Sequence, residues 1–115
     1  MRAGTFVAGV GADNPHKREL APGLLASAKV VVDVLDQCAE IGDLHHALAA
    51  GVLTRAAVHA DLGAVVAGRA AGRTDEDEIV VFDSTGMALQ DVAAAAAVYE
   101  RAVEAGAGRT IDFGA

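Results

Sequence analysis

Three short apolar runs govern what this chain can fold into: "TFVAGVG" (Thr5–Gly11), "KVVVDVL" (Lys29–Leu35) and "EIVVFDS" (Glu78–Ser84). None of them alternates apolar with polar residues. A strand with one wet face alternates, whereas a strand covered by helices on both faces reads as a nearly continuous apolar run. Parallel strands also need crossovers of a dozen or more residues, usually helical. The stretches between these runs are long enough, so the expectation is an α/β layer fold. It would have a parallel sheet of about three strands flanked by helices.

The intervening segments carry helix signals. Pro22 suits a first helical turn and opens a short helix through Ala28. Asp43 is placed to cap "DLHHALAAG", with Gly51 as its stop. Thr54 is placed to cap a further helix, in which Val58, Leu62, Val65 and Val66 recur at helical spacing before Gly68. The stretch Ala70–Glu78 is acidic and reads as a solvated loop. A long helix is expected from Met87 to Ala105, about 28 Å at 1.5 Å per residue. Ala88, Val92, Ala95, Ala96, Tyr99 and Val103 fall on one stripe of it, and Ile111 and Phe113 in the tail could dock.

At 115 residues the chain fits a single domain, residues 1–115. Hydrophobic residues make up 53%, yet aromatics are only 3% and Trp is absent. Much of the apolar count is alanine, which buries little area, so the core is expected to be thin and to lean on a partner surface. A net charge of −7 and a pI near 4.8 exclude a phosphate-backbone partner, which needs clustered Lys and Arg. The single Cys38 excludes an internal disulfide. The N-terminus lacks a signal-peptide pattern, and no apolar run reaches the ~18 residues of a membrane span. Together these point to a soluble, cytoplasmic protein.

In open parallel sheets, ligands sit beyond the carboxyl ends of the strands. The first run ends in "VGAD". Gly11 and Ala12 offer little side chain there, so a flat ligand could lie against the backbone. Asp13 is a candidate general acid or base, and Lys17, one turn on, could hold a phosphate, a carboxylate or Asp13 itself. An ordinary capped turn accounts for the same residues. The third run ends in "FDSTG", where Ser84 or Thr85 could cap the long helix and offer its N-terminus to an anion or cofactor. Capping alone would also select those residues. The adjacent His45 and His46 point to different sides of a helix, and no His, Cys or carboxylate spacing suggests a metal. Cys38 has no evident base beside it. "GVGADN" lacks the third glycine of a dinucleotide fingerprint.

Taken in order, "VGADNPHKREL", "KVVVDVLDQCAEIGDL" and "HADLGAVVAGRAAGRTDEDEIVVFDSTGMALQD" resemble the ornithine cyclodeaminase/mu-crystallin family, over about Gly4 to Gly108. The resemblance implies part of a Rossmann-like domain with NAD or NADP as cofactor. Family members oxidise amino acids or reduce imines. The family's acid/base aspartate matches Asp13. Its cofactor-contacting strand end matches Val10, Gly11, Ala12 and Asp13. Its cofactor-side lysine matches Lys17, its serine near the nicotinamide matches Ser84, and its substrate-side neighbour matches Thr85. His16 stands where the family usually has glycine, which would cost about 1 kcal/mol if that position needs a positive φ. Family chains are much longer. The expectation is therefore a C-terminal portion that takes a small amino acid or imine once completed by an N-terminal half, or in a homo-oligomer. The alternative is a non-catalytic α/β module that self-associates.

Overall fold

The computed structural model describes residues 1–114. The chain runs β1 (Phe6–Gly9), α1 (Pro22–Ala26), β2 (Lys29–Val32), α2 (Leu35–Ile41) and α3 (Asp43–Ala49). A 3₁₀ turn (Arg55–Ala57), β3 (Ala60–Asp61), α4 (Leu62–Val66), β4 (Val80–Asp83) and α5 (Ala88–Glu104) follow. The four strands are all parallel and lie in the order β1-β4-β2-β3. Val80–Asp83 is central: it pairs with Phe6–Gly9 on one side and Lys29–Val32 on the other. The three apolar runs are thus neighbours, and the parallel α/β expectation holds.

The stretch after Thr54 departs from the expected single helix. It splits into the 3₁₀ turn, the two-residue β3 and the short α4, so a fourth strand joins the sheet. The spacing of Val58, Leu62 and Val65 fits a helix, but the His59 amide bonds to the Val30 carbonyl and pulls the backbone onto the sheet edge. Thr54 makes no side-chain cap; Asp61 does, its Oδ1 accepting from the Ala64 amide at 2.7 Å. Residues Leu35–Ile41, for which no helix was expected, form α2. Pro22 does open α1, which ends at Ala26.

One face of the sheet is well covered. Val30, Val32 and Val81 pack with Leu25 of α1, Cys38 of α2 and Leu44 and Ala47 of α3, all nearly or fully buried. Each Leu or Val so buried contributes about 1.5–3 kcal/mol. The other face carries Phe6, Val31, Val80 and Phe82, which with Leu62 and Val65 line an open groove of about 450 Å³. Phe6 remains 60% exposed. The helix α5 has no buried residue, and Ile111 and Phe113, expected to dock, are exposed. The radius of gyration is 18.0 Å, against about 13 Å for a compact chain of this length, because α5 projects from the sheet.

The acidic loop is tied down rather than freely solvated. Lys29 Nζ lies 2.6 Å from Glu78 Oε1 and also donates to the Gly72 carbonyl and Thr74 Oγ1. No residue other than glycine has a positive φ among those described, so His16 sits in its turn without the strain considered above. Among the described residues no helix is long and apolar enough to cross a membrane.

Candidate functional site

Each central strand ends in a buried carboxylate. Asp33 follows β2 and is 7% exposed; Asp83 closes β4 and is fully buried. At the start of α3 stands Asp43, also fully buried. A parallel sheet presents the carboxyl ends of all its strands at one edge, so these acids are neighbours by topology. They organise the loops that carry every candidate residue.

Asp33 holds the "DSTG" segment. Its Oδ2 accepts from Ser84 Oγ at 2.8 Å, from the Thr85 amide at 3.0 Å and from the Gly86 amide at 2.9 Å. Its Oδ1 accepts from the Val34 amide at 2.7 Å and from the Cys38 thiol at 3.0 Å. Burial pushes the Asp33 carboxyl up, but these donors outweigh it and hold the group below the usual aspartate value. The Cys38 thiol is itself pushed up to about 12, chiefly by burial and then by Asp33, so it is a fixed S–H donor and no nucleophile.

Asp83 and Asp43 tie the turn after β1 to the sheet. Asp83 accepts from the Asp43 amide at 3.2 Å and the Leu44 amide at 2.7 Å. Asp43 Oδ1 in turn accepts from the Glu19 and Leu20 amides at 2.9 and 3.0 Å. Only glycine fits at position 42, where a Cβ would stand 2.7 Å from Asp83 Oδ2. Asp83 is pushed up to about 6, first by burial and then by the neighbouring charges of Asp43 and Asp33.

The first candidate group, Val10 to Lys17, lies on the loop that leaves β1. Asp13 and Lys17 form a surface ion pair of 2.6 Å, and the lysine holds the Asp13 carboxyl below its usual value. Val10 is 64% exposed, whereas Ala12 is buried. The Gly11 amide donates to Glu19 Oε2 at 2.7 Å, so a side chain lies over the glycine backbone. Asn14 closes the turn by accepting from the His16 amide, and His46 Nε2 donates to the Lys17 carbonyl at 2.7 Å.

The second group, Ser84 and Thr85, lies beside the first: the Ser84 amide donates to the Gly9 carbonyl at 2.9 Å. Neither residue caps α5, whose N-cap is Met87 with no side-chain bond. Ser84 donates its hydroxyl proton to Asp33 instead, and α5 begins only at Ala88, beyond reach of a Ser84 cap. Asp43, expected as a cap, lies one residue inside α3 and bonds the Glu19 and Leu20 amides. The Thr85 Oγ1 is shielded and has no partner among the described residues, as is Asp43 Oδ2. His45 and His59, like His46, bond backbone carbonyls, that of Ala39 in α2 and that of Ala71 in the loop after α4. Sequence reasoning did not single out Asp33 or Asp83. The available signal was that both β-branched runs end in an acid, "VVVD" and "VVFD".

A four-stranded parallel sheet flanked by helices, with its polar groups gathered at the strands' carboxyl ends, is an α/β arrangement of the Rossmann-like class. Residues 1–106 match the ornithine cyclodeaminase/mu-crystallin family, and the chain belongs to that family. It is 46% identical over 113 residues to alanine dehydrogenase of Archaeoglobus fulgidus, covering 98% of this chain and 35% of that protein. Among solved structures it resembles an archaeal alanine dehydrogenase dimer with bound NAD, at a TM-score of 0.84, 45% identity, and coverage of 97% and 35% of the two chains. It also resembles Thermococcus litoralis Delta(1)-pyrroline-2-carboxylate reductase in complex with NADH and L-proline. There the TM-score is 0.87 at 33% identity, with 96% of this chain and 35% of that chain covered. The chain therefore spans about a third of the length of these relatives.

Proposed function

We propose that this chain is the C-terminal part of an NAD(P)-dependent enzyme that interconverts small amino acids and imines, and that it contributes the nicotinamide end of the cofactor site. The observation that carries this reading is the junction of β1 and β4. There the Ser84 amide on the Gly9 carbonyl sets the Asp13 loop beside a hydroxyl fixed by buried Asp33.

The residues fit a cofactor of this kind. Ser84 has free acceptor lone pairs, and the Thr85 hydroxyl is an unpartnered polar group on the same loop. Val10 and Lys17, the exposed members of the first loop, would flank the ring from the other side, with Gly11 reached once Glu19 moves aside and Ala12 packed beneath, and Thr85 would face substrate. When bound, NAD(P)H supplies the hydride. Asp13 handles the proton at the substrate nitrogen. Beside Lys17 it is held as a carboxylate, ready to accept a proton from a substrate ammonium. Enclosure by the rest of the site would raise its pKa toward the value a proton donor needs. The N-terminal portion would supply the phosphate cradle and the groups that select the substrate, in the same chain or in a homo-oligomer.

The test is complementation. The purified chain is mixed with the N-terminal portion of the Archaeoglobus fulgidus alanine dehydrogenase. NADH oxidation is then followed with a 2-keto acid plus ammonia and with a cyclic imine acid. Turnover that is lost in Asp13→Asn supports the reading; an inert mixture of two folded pieces counts against it.

A second reading is a non-catalytic module that self-associates. It is favoured by one observation: Leu89, Val92, Tyr99 and Val103 of α5 are all more than half exposed. Sedimentation showing a monomer at high concentration would rule it out.

A further inference from the structure

We infer that Asp33 is the positioning residue of the "DSTG" loop, and that it makes Ser84 a pure hydrogen-bond acceptor toward whatever binds there. A serine hydroxyl has one proton. Here that proton is committed to Asp33 Oδ2 at 2.8 Å, and an ionised carboxylate has no proton to give back. Only the lone pairs of Ser84 remain for a ligand. The Thr85 and Gly86 amides, which would otherwise form an anion-binding nest, point at the same oxygen. The loop thus already holds its anion as part of the protein. A phosphate, a carboxylate or a ketone oxygen finds no donor in the Ser84 hydroxyl or in these two amides. A group bearing N–H or O–H finds an acceptor in Ser84, and a primary carboxamide fits.

Three features keep the arrangement fixed. Asp33 is 7% exposed, so water competes little for its oxygens. Its Oδ1 is engaged by the Val34 amide and the Cys38 thiol, so the carboxylate cannot swing away from Ser84. The Cys38 thiol stays protonated at neutral pH and remains a donor. Cys38 therefore acts through Asp33, and Asp33 through Ser84.

The identity of the occupant rests on the cofactor reading above; the state of Ser84 does not. Two measurements separate them. The first is direct. The Thr85 and Gly86 amide resonances are followed by ¹H–¹⁵N NMR from neutral to acid pH. They should move together as Asp33 protonates, at a pH below the usual aspartate value. In Cys38→Ala the midpoint should rise. Amides that ignore the titration, or a midpoint unchanged in Cys38→Ala, would overturn the assignment.

The second uses NADH and its 3-acetylpyridine analogue, which carries a methyl in place of the amide nitrogen. The chain should bind NADH about tenfold more tightly, the worth of one hydrogen bond. Ser84→Ala should erase that preference, and Asp33→Asn should narrow it. Equal affinities in the unaltered chain would overturn the acceptor claim. If neither dinucleotide binds the folded chain, the cofactor reading fails, and the amide titration alone decides the role of Asp33.

Discussion

Asp83 gives this fold an unusual pH dependence. It is a fully buried carboxylate whose two partners are backbone amides, with Asp43 and Asp33 as charged neighbours. Its proton affinity rises from an ordinary 3.8 to about 6 on folding. An acid raised in this way binds its proton more tightly folded than unfolded. Between those two values the folded state holds the proton and the unfolded state does not, so stability falls as pH rises. The slope approaches about 1.4 kcal/mol per pH unit, and the total loss is about 3 kcal/mol. The other shifted carboxylates, Asp13, Asp33 and Glu78, are all lowered, so their contributions rise with pH and level off about one pH unit above their ordinary values of 3.8, 3.8 and 4.5. Urea unfolding followed by circular dichroism, at steps from about pH 4.5 to pH 7, measures the curve. Asp83→Asn should flatten it, and the difference between the two curves cancels any histidine contribution. A curve for the unaltered chain that is flat or rises across this range would refute the reasoning. So would an identical fall in Asp83→Asn.

Three further predictions follow from other parts of the molecule. Leu44→Ala removes a fully buried side chain between α3 and the sheet and should cost about 2–5 kcal/mol in denaturant unfolding; a cost under about 1 kcal/mol would mean the site collapses freely. Glu78, held at about 2 chiefly by its bond to Lys29, should titrate higher in Lys29→Met yet stay below its ordinary 4.5, because the Thr74 amide and hydroxyl still donate to it, as read from the side-chain carboxyl ¹³C shift; an unmoved midpoint would refute the role of Lys29. The amides of α5 should exchange far faster than those of Val30 and Val81 in dilute solution, because a helix of this length with no buried residue lacks tertiary support. Equal protection at all concentrations would show a contact absent from the fold described.

The sheet was legible because its residues report burial directly: three continuous β-branched runs became three adjacent parallel strands. What escaped was set by partners distant in sequence. The segment from Thr54 to Gly68 has helical spacing, yet the Val30 carbonyl captures the His59 amide and makes a strand edge there. Ser84 has the type and place of a cap, yet Asp33, 51 positions away, takes its hydroxyl. Asp43 likewise reads as a cap and instead bonds Glu19 and Leu20. In each case a local propensity of about 1 kcal/mol yields to a buried or charge-assisted hydrogen bond worth more. The candidate Asp13 and Lys17 did fall together, because a helix-like turn brings positions four apart into reach.

The most direct test of the central claim is a ¹H–¹⁵N NMR titration of the chain with NADH. The account predicts saturable shifts confined to Val10–Asp13, Lys17 and Ser84–Gly86, on the two loops joined at Gly9 and Ser84. A folded chain whose spectrum does not change, or changes only along α5, would contradict it.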